Sequence, residues 1–300
     1  MIEHNGKKYQ KLGLHIHTAR SDGLRSPAEV LRLFKDADYD AVALTDHWVF
    51  GEAGDFEGMT LLSGCEYNVG GSCAEDGVFH IVGIGMERDP VSIHPEIADA
   101  KNYENSIDRA NAIISAINEA GGIAELAHPA WSLNTPSQIS RLHGLFATEI
   151  YNTVSDHGES NRPYSGAVVD MLATEGRLFD LLAVDDCHYY TGDHCVASTM
   201  AAVDRADRNS IISALQKGNC FSTIGPYLSV EKSADGAILV YCSPACRIVF
   251  MSNMVWASGR QIFGEGMTEA IYHPHKGESF VRVEITDTCG RMAWSNPISL

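Results

Sequence analysis

Residues 14–23 read LHIHTARSDG, and the way this stretch is understood decides what the chain folds into. In the longer run KLGLHIH, residues 11–17, strand alternation puts Leu12, Leu14 and Ile16 on one face and His15 and His17 on the other. A single histidine on a strand is ordinarily structural, whereas two at i and i+2 on a shared face have the spacing of a chelate. Asp22 follows in the next loop, against Gly23. The stretch predicts a strand that runs into a metal-binding loop; the plainer alternative is a strand that happens to carry polar residues.

The same residue types recur at the next apolar runs. AVALT (41–45) leads into Asp46 and His47, MTLLSGCEY (59–67) carries Glu66, and FHIVGIG (79–85) carries His80. GIAELAH (122–128) ends in His128, LFATEIYN (145–152) in Asn152, and LFDLLAVDD (178–186) in Asp186 with His188 just beyond. Between the runs lie helical patterns. SPAEVLRLFKDA (26–37) opens with Ser26, Pro27 and Glu29, a capping box with proline at the first helical position. From Glu104 to Ala120 one face collects Ile107, Ala110, Ile113, Ile114 and Ile117. TPSQISRL (135–142) and RPYSGAVVDMLATEG (162–176) suggest two more helices. Alternating strands and helices predict an α/β fold with parallel strands, in which strand C-termini converge on one face where sites are built.

His15, His17, His47, His80, His128 and His188 with Asp22, Glu66 and Asp186 make nine ligand-type residues, too many for one ion of four to six ligands. A cluster of two or three divalent ions is expected, with Glu66 the natural bridge. Nitrogen and oxygen donors without thiolate suit Mn, Zn or Fe. His157 could reach the mouth of the site, and the other six histidines are assigned no role.

Together LHIHTARSDG, TDHW (45–48), CEY (65–67), FHIVGIG, AHPAW (127–131) and DDCH (185–188) resemble, in their order, the PHP (polymerase and histidinol phosphatase) superfamily of metal-dependent hydrolases over roughly residues 11–190. The resemblance implies a distorted seven-stranded β/α barrel and a site for up to three ions. By it, His15, His17, Glu66 and Asp186 hold the first ion, Glu66, His80 and His128 the second, and Asp22, His47 and His188 the third. Every ligand position of that pattern is filled, as expected of a working enzyme. LQKGNCFSTIGPYLSV (215–230) and GRMAWSNPISL (290–300) are similar to PHP proteins with an appended β-domain, a branch that includes carbamate-ester hydrolases.

From Gly225 onward period-two alternation predicts a small antiparallel β-domain, giving domains 1–224 and 225–300 with Tyr227, Trp256 and Trp294 as core aromatics. The expected reaction is hydrolysis of a small phosphomonoester, a nucleotide or sugar phosphate, with metal-bound hydroxide as nucleophile. The alternative is a neutral carbamate or carboxylic ester at the same metals, and a third reading is a metal-stabilised binding module. Asp46 and Glu149 are placed to orient imidazole N–H groups, or equally to cap loops. Arg20 and Arg162 are candidates to hold a phosphoryl group, against a surface salt bridge for each. Asn152 could contact substrate or simply turn the chain.

Acidic residues outnumber basic ones by 39 to 22, a formal charge of −17 that argues against nucleic-acid polymers and anionic membranes as partners. The N-terminus lacks the apolar core of a secretory signal, so a cytoplasmic protein is expected. Eight scattered cysteines, nearest pairs Cys65/Cys73, Cys187/Cys195 and Cys242/Cys246, form no metal knuckle and are read as reduced packing residues.

Overall fold

The computed structural model describes residues 2–71 and 77–300, so Cys73 lies outside the described residues. All seven apolar runs contain strands, but the strands divide between two sheets. β1 (Ile2–His4) pairs antiparallel with β2 (Lys7–Gly13), which pairs parallel with β3 (Ala41–Ala43). β4 (Gly54–Phe56) and β5 (Met59–Leu62) extend this sheet beyond β3. The second sheet contains β6 (Gly64–Val69), β7 (Phe79–Ile84), β8 (Ile123–Leu126), β9 (Ala147–Asn152) and β10 (Asp180–Val184). The run MTLLSGCEY is thus split, its first half in one sheet and its second half in the other.

Among the described residues no closed seven-stranded barrel forms, and the reason lies at the edges of β2 and β10. β11 (Ser198–Ala202) pairs antiparallel with β2, so both edges of β2 are filled and β10 cannot close onto it. β10 meets β11 through side chains instead: Ala183 N–H donates to Thr199 Oγ1, which donates to the Ala183 carbonyl, each at 3.2 Å. Single bridges, Ile16 to Cys187 and His47 to Glu66, are what links the sheets along the ligand loops. β7 also departs from expectation by running antiparallel to both β6 and β8, so His80 near its start lies at the same end as residues that follow β8 and β10.

Helices α1 (Pro27–Asp36), α2 (Pro90–Ile93), α3 (Ser106–Glu119), α4 (Pro136–Ile139) and α5 (Gly166–Thr174) cover this framework. The Ser26/Glu29 capping box forms at α1 in both directions. Ile107, Ala110, Ile113, Ile114 and Ile117 of α3 are buried, each large side chain contributing about 1.5–3 kcal/mol. α6 (Arg208–Gln216) then leads to β12 (Cys220–Thr223), the antiparallel partner of β11.

The C-terminal strands are β13 (Leu228–Lys232), β14 (Ile238–Met251), β15 (Gln261–Tyr272), β16 (Phe280–Thr286), β17 (Met292–Ser295) and β18 (Ile298–Ser299). They are antiparallel, but they do not stand apart: β17 pairs with β12, so one sheet runs from β13 through β12 and β11 to β4. Trp294 is buried and stacks on Tyr151 of β9, Tyr227 is half-buried, and Trp256 is 78% exposed in the turn after β14 rather than in a core. No helix among the described residues is long and apolar enough to cross a membrane.

Candidate metal centre

β2 ends at Gly13, and the chain continues extended through the bridge residue Ile16, whose side chain is buried with Leu14. His15 and His17 therefore point to the other face, as alternation requires. Their Nε2 atoms lie 3.1 Å apart. Glu66 Oε2 is 3.2 Å from His15 Nε2 and 3.0 Å from His17 Nε2, and Asp186 Oδ1 is 3.1 Å from each. Donors bound to one ion at about 2.1 Å are separated by roughly 3.0–3.4 Å, depending on coordination number.

Two further groups share members with the first. Glu66 Oε1 lies 2.8 Å from His80 Nδ1 and 3.6 Å from His128 Nε2. Asp22 lies 3.4 Å from His17 Nδ1, 3.6 Å from His47 Nε2 and 3.5 Å from His188 Nε2. His47 Nδ1 and Asp186 Oδ1 are buried beside opposing charged groups but meet them at angles no hydrogen bond uses. Buried nitrogen and oxygen atoms that crowd toward a common point, with two of them left without a hydrogen-bond partner, fit divalent cations. The first two groups are almost fully buried, whereas the side chain of Asp22 is 54% exposed, so the third lies at the open side.

Charge in the cluster is mutually sustained. Burial disfavours the His15 and His17 cations, yet neighbouring carboxylates, Asp186 and Glu66 among them, raise both well above the usual histidine range. Burial likewise opposes ionisation of Glu66, and the imidazoles of His15, His80 and His47 reverse it, holding the carboxyl well below its ordinary range. His47 itself is lowered, chiefly by burial.

A layer of polar residues fixes these side chains. Glu149 accepts from His15 Nδ1 at 2.7 Å through Oε1, and from the His128 backbone N–H at 2.7 Å and Asn152 Nδ2 at 2.8 Å through Oε2. Asp46 touches no imidazole: it accepts from Thr18 N–H at 2.7 Å and Ser21 Oγ at 2.9 Å, and so caps the first ligand loop. Gly23 lets that loop close, because a Cβ there would stand 2.7 Å from the His17 carbonyl carbon. His128 and Asp186 have left-handed backbones, φ 28° and 51°, at a cost of about 1–3 kcal/mol each, as strained positions at built sites commonly do.

Several residues escaped the sequence reading. Asp193, fully buried, accepts from the backbone N–H groups of His188 (2.8 Å), Tyr189 (2.7 Å) and Thr191 (3.0 Å), fixing the loop that carries His188. Ser132 Oγ lies 3.1 Å from His128 Nδ1, an i+4 contact that the AHPAW motif could have suggested. Glu125, beside Glu149, is buried with neither oxygen hydrogen-bonded, and burial and then Glu149 push its carboxyl well above the usual range.

The expected substrate residues are not gathered at the donors. Asn152 is buried, and its amide group donates to Glu149 and to Asp186 Oδ2 (3.1 Å), which puts it behind the carboxylates. His157 is exposed and its Nε2 bonds the Thr191 carbonyl at 2.9 Å. Arg162 is exposed, and the Arg20 guanidinium donates to the Phe50 carbonyl at 2.8 Å. Above the donors is a cavity of about 190 Å³ whose further wall includes Trp131, Glu159 and Tyr189; among the described residues no Arg or Lys lines it.

We expect Glu149→Gln to fold and to lose about 10–100-fold in metal affinity or activity, the usual cost of removing a partner that orients a ligand. Metal titration of the variant by calorimetry checks this; affinity equal to wild type would reduce Glu149 to a packing residue.

No family model and no curated protein matches the sequence. Solved structures do. A two-domain protein from Bacteroides vulgatus containing a predicted PHP-like metal-dependent phosphoesterase matches with a TM-score of 0.53 at 14% identity, over 100% of this chain and 97% of that one. An amidohydrolase from Chromobacterium violaceum (TM-score 0.41, 17% identity) matches over 61% of this chain and 89% of its own. The lesion-specific endonuclease EndoQ from Pyrococcus furiosus (TM-score 0.45, 15% identity) matches over 70% and 56%. The chain shares the fold of that two-domain protein along its whole length, its C-terminal β-strands included.

Proposed function

We propose that the chain is a metal-dependent hydrolase that cleaves a small phosphomonoester at a cluster of up to three divalent ions, Mn, Zn or Fe. The observation that carries this is the convergence of nine His, Asp and Glu side chains into three groups whose donor atoms lie close enough to share single ions, seven of the nine lining one cavity and His15 and His17 buried beneath it. His15, His17, Glu66 and Asp186 would hold one ion, Glu66, His80 and His128 a second, and Asp22, His47 and His188 a third. Such ions lower the pKa of bound water and neutralise charge on a phosphoryl group. The protein's part is orientation: Glu149 fixes His15, Ser132 fixes His128, and the Asp186 carbonyl, 2.7 Å from His188 Nδ1, leaves Nε2 of that ring to face Asp22. Residues 1–224 carry the site in this reading, and 225–300 brace it.

The acidic balance and the small cavity support a small molecule over a nucleic-acid polymer as substrate. A neutral carbamate or carboxylic ester is the second reading, and one observation favours it: among the described residues the wall offers aromatic rings and no guanidinium, with Arg20 and Arg162 both outside it.

Phosphate release from nucleotides, sugar phosphates and p-nitrophenyl phosphate, by protein loaded in turn with Mn, Zn or Fe, tests the first reading. An Asp186→Ala, His188→Ala double variant is the blank. Metal-dependent release that vanishes in the blank is expected. Turnover of p-nitrophenyl esters or carbamates without phosphate release would establish the second reading, and metal binding without any turnover would leave a binding module.

A further inference from the structure

Beyond the donors, the cavity is walled by Trp131, Val154, Ser155, Glu159 and Tyr189. Trp131 packs edge-on against His128, ring centroids 4.8 Å apart. Tyr189 directly follows His188, and its hydroxyl donates to Glu159 Oε1 across the cavity mouth. The turn that carries Glu159 is fitted to that ring: Gly158 has φ 125°, and a Cβ there would stand 3.1 Å from Tyr189. The contact between His157 Nε2 and the Thr191 carbonyl ties the same two segments together a second time. The mouth therefore presents an anchored carboxylate in the same wall as two aromatic rings, while the floor is built for cations.

We infer that Glu159, anchored by Tyr189, sets leaving-group specificity: the cavity admits an aromatic-sized leaving group that is neutral or cationic and rejects one that carries a second anionic group. This deepens the phosphomonoester reading and rests on it. The floor takes the reacting anion, so the far end of the substrate meets Glu159, Trp131 and Tyr189. A cation there gains from the carboxylate and the ring faces. An anion held at about 6 Å from Glu159, in a medium between protein surface and water, loses roughly tenfold in binding. Nucleoside di- and triphosphates and sugar bisphosphates are then poor substrates, whatever their fit to the ions.

The test uses the metal-loaded protein and benzylphosphonates with para-aminomethyl, para-hydrogen or para-carboxylate groups, measured by equilibrium binding, with hydrolysis of phenyl phosphate alongside. Wild type should prefer para-hydrogen over carboxylate by about tenfold and aminomethyl over carboxylate by more, up to about a hundredfold, at low salt, and less at high salt. Glu159→Gln should bring the ratio near one and Glu159→Lys should invert it; the side chain is exposed, so both variants should fold. A ratio that neither substitution moves, or no preference in wild type, overturns the inference. Phenyl phosphate left uncleaved while the ratio still responds to Glu159 would sink the phosphatase reading and keep the wall. Phosphonates that do not bind the loaded protein at all overturn both.

Discussion

Glu66→Gln should lose about a thousandfold or more of the metal-dependent turnover and hold fewer ions per chain than wild type. The expectation follows from how many groups converge on this one carboxylate. Oε2 faces His15, His17 and His47 at 3.2, 3.0 and 3.2 Å, and Oε1 faces His80 and His128 at 2.8 and 3.6 Å. An amide keeps the shape of the side chain but has one oxygen, no charge, and an NH2 group that must point at one set of ligands. Neither the first nor the second group can then close around an ion. Asp22→Asn should be milder, because its half-exposed carboxylate serves only the open third group. Metal content by elemental analysis together with turnover checks both variants. A Glu66→Gln protein with full metal content and wild-type turnover would show that Glu66 does not join the two groups.

The site was more legible in the sequence than the sheet around it, and the physical reasons differ. His15 and His17 could be placed because period-two alternation is local, and the buried Leu14 and Ile16 on the opposite face settle it without reference to the rest of the fold. His80 was selected by residue type, but its strand direction was not visible: a run such as FHIVGIG reads the same whether its neighbours are parallel or antiparallel. The absence of a closed barrel had no local signal either, since it depends on β11 filling the edge of β2 from almost two hundred residues away in sequence. Trp256 was misplaced because an aromatic in a β-rich stretch is usually buried, and only the hairpin geometry shows that it sits in a turn. The roles of Asp46 and Glu149 could not be separated from sequence, because both are acids beside a ligand loop. Structure divides them by what lies opposite: backbone and hydroxyl donors for Asp46, an imidazole for Glu149.

The largest effect on stability is expected far from the donors, at Arg282 of β16. Its guanidinium is fully buried, donating from Nε to Asp170 Oδ1 at 2.6 Å and from Nη2 to Asp170 Oδ2 at 2.8 Å, with Nη1 on Glu284. Tyr164 joins the network through Glu284 and stacks near Trp294. Asp170 belongs to α5, whereas Arg282 and Glu284 belong to the C-terminal strands, so this ion cluster and the β12–β17 pairing bind the two halves of the chain into one unit. Arg282→Ala leaves two acids facing each other in a poorly hydrated seam and should cost about 3–5 kcal/mol. At roughly 2–4 °C per kcal/mol for a chain of this size, Tm should fall by about 10 °C. Arg282→Ala, Asp170→Ala, Glu284→Gln should recover part of that loss, because it removes the stranded charges together with the cation. Turnover per folded molecule should survive below the new Tm, because no metal-donor side chain touches the network. Thermal melts with activity assayed at 20 °C separate the outcomes. A Tm within about 1 °C of wild type would mean that water reaches the seam and that the two halves are held by strand pairing and apolar contact alone.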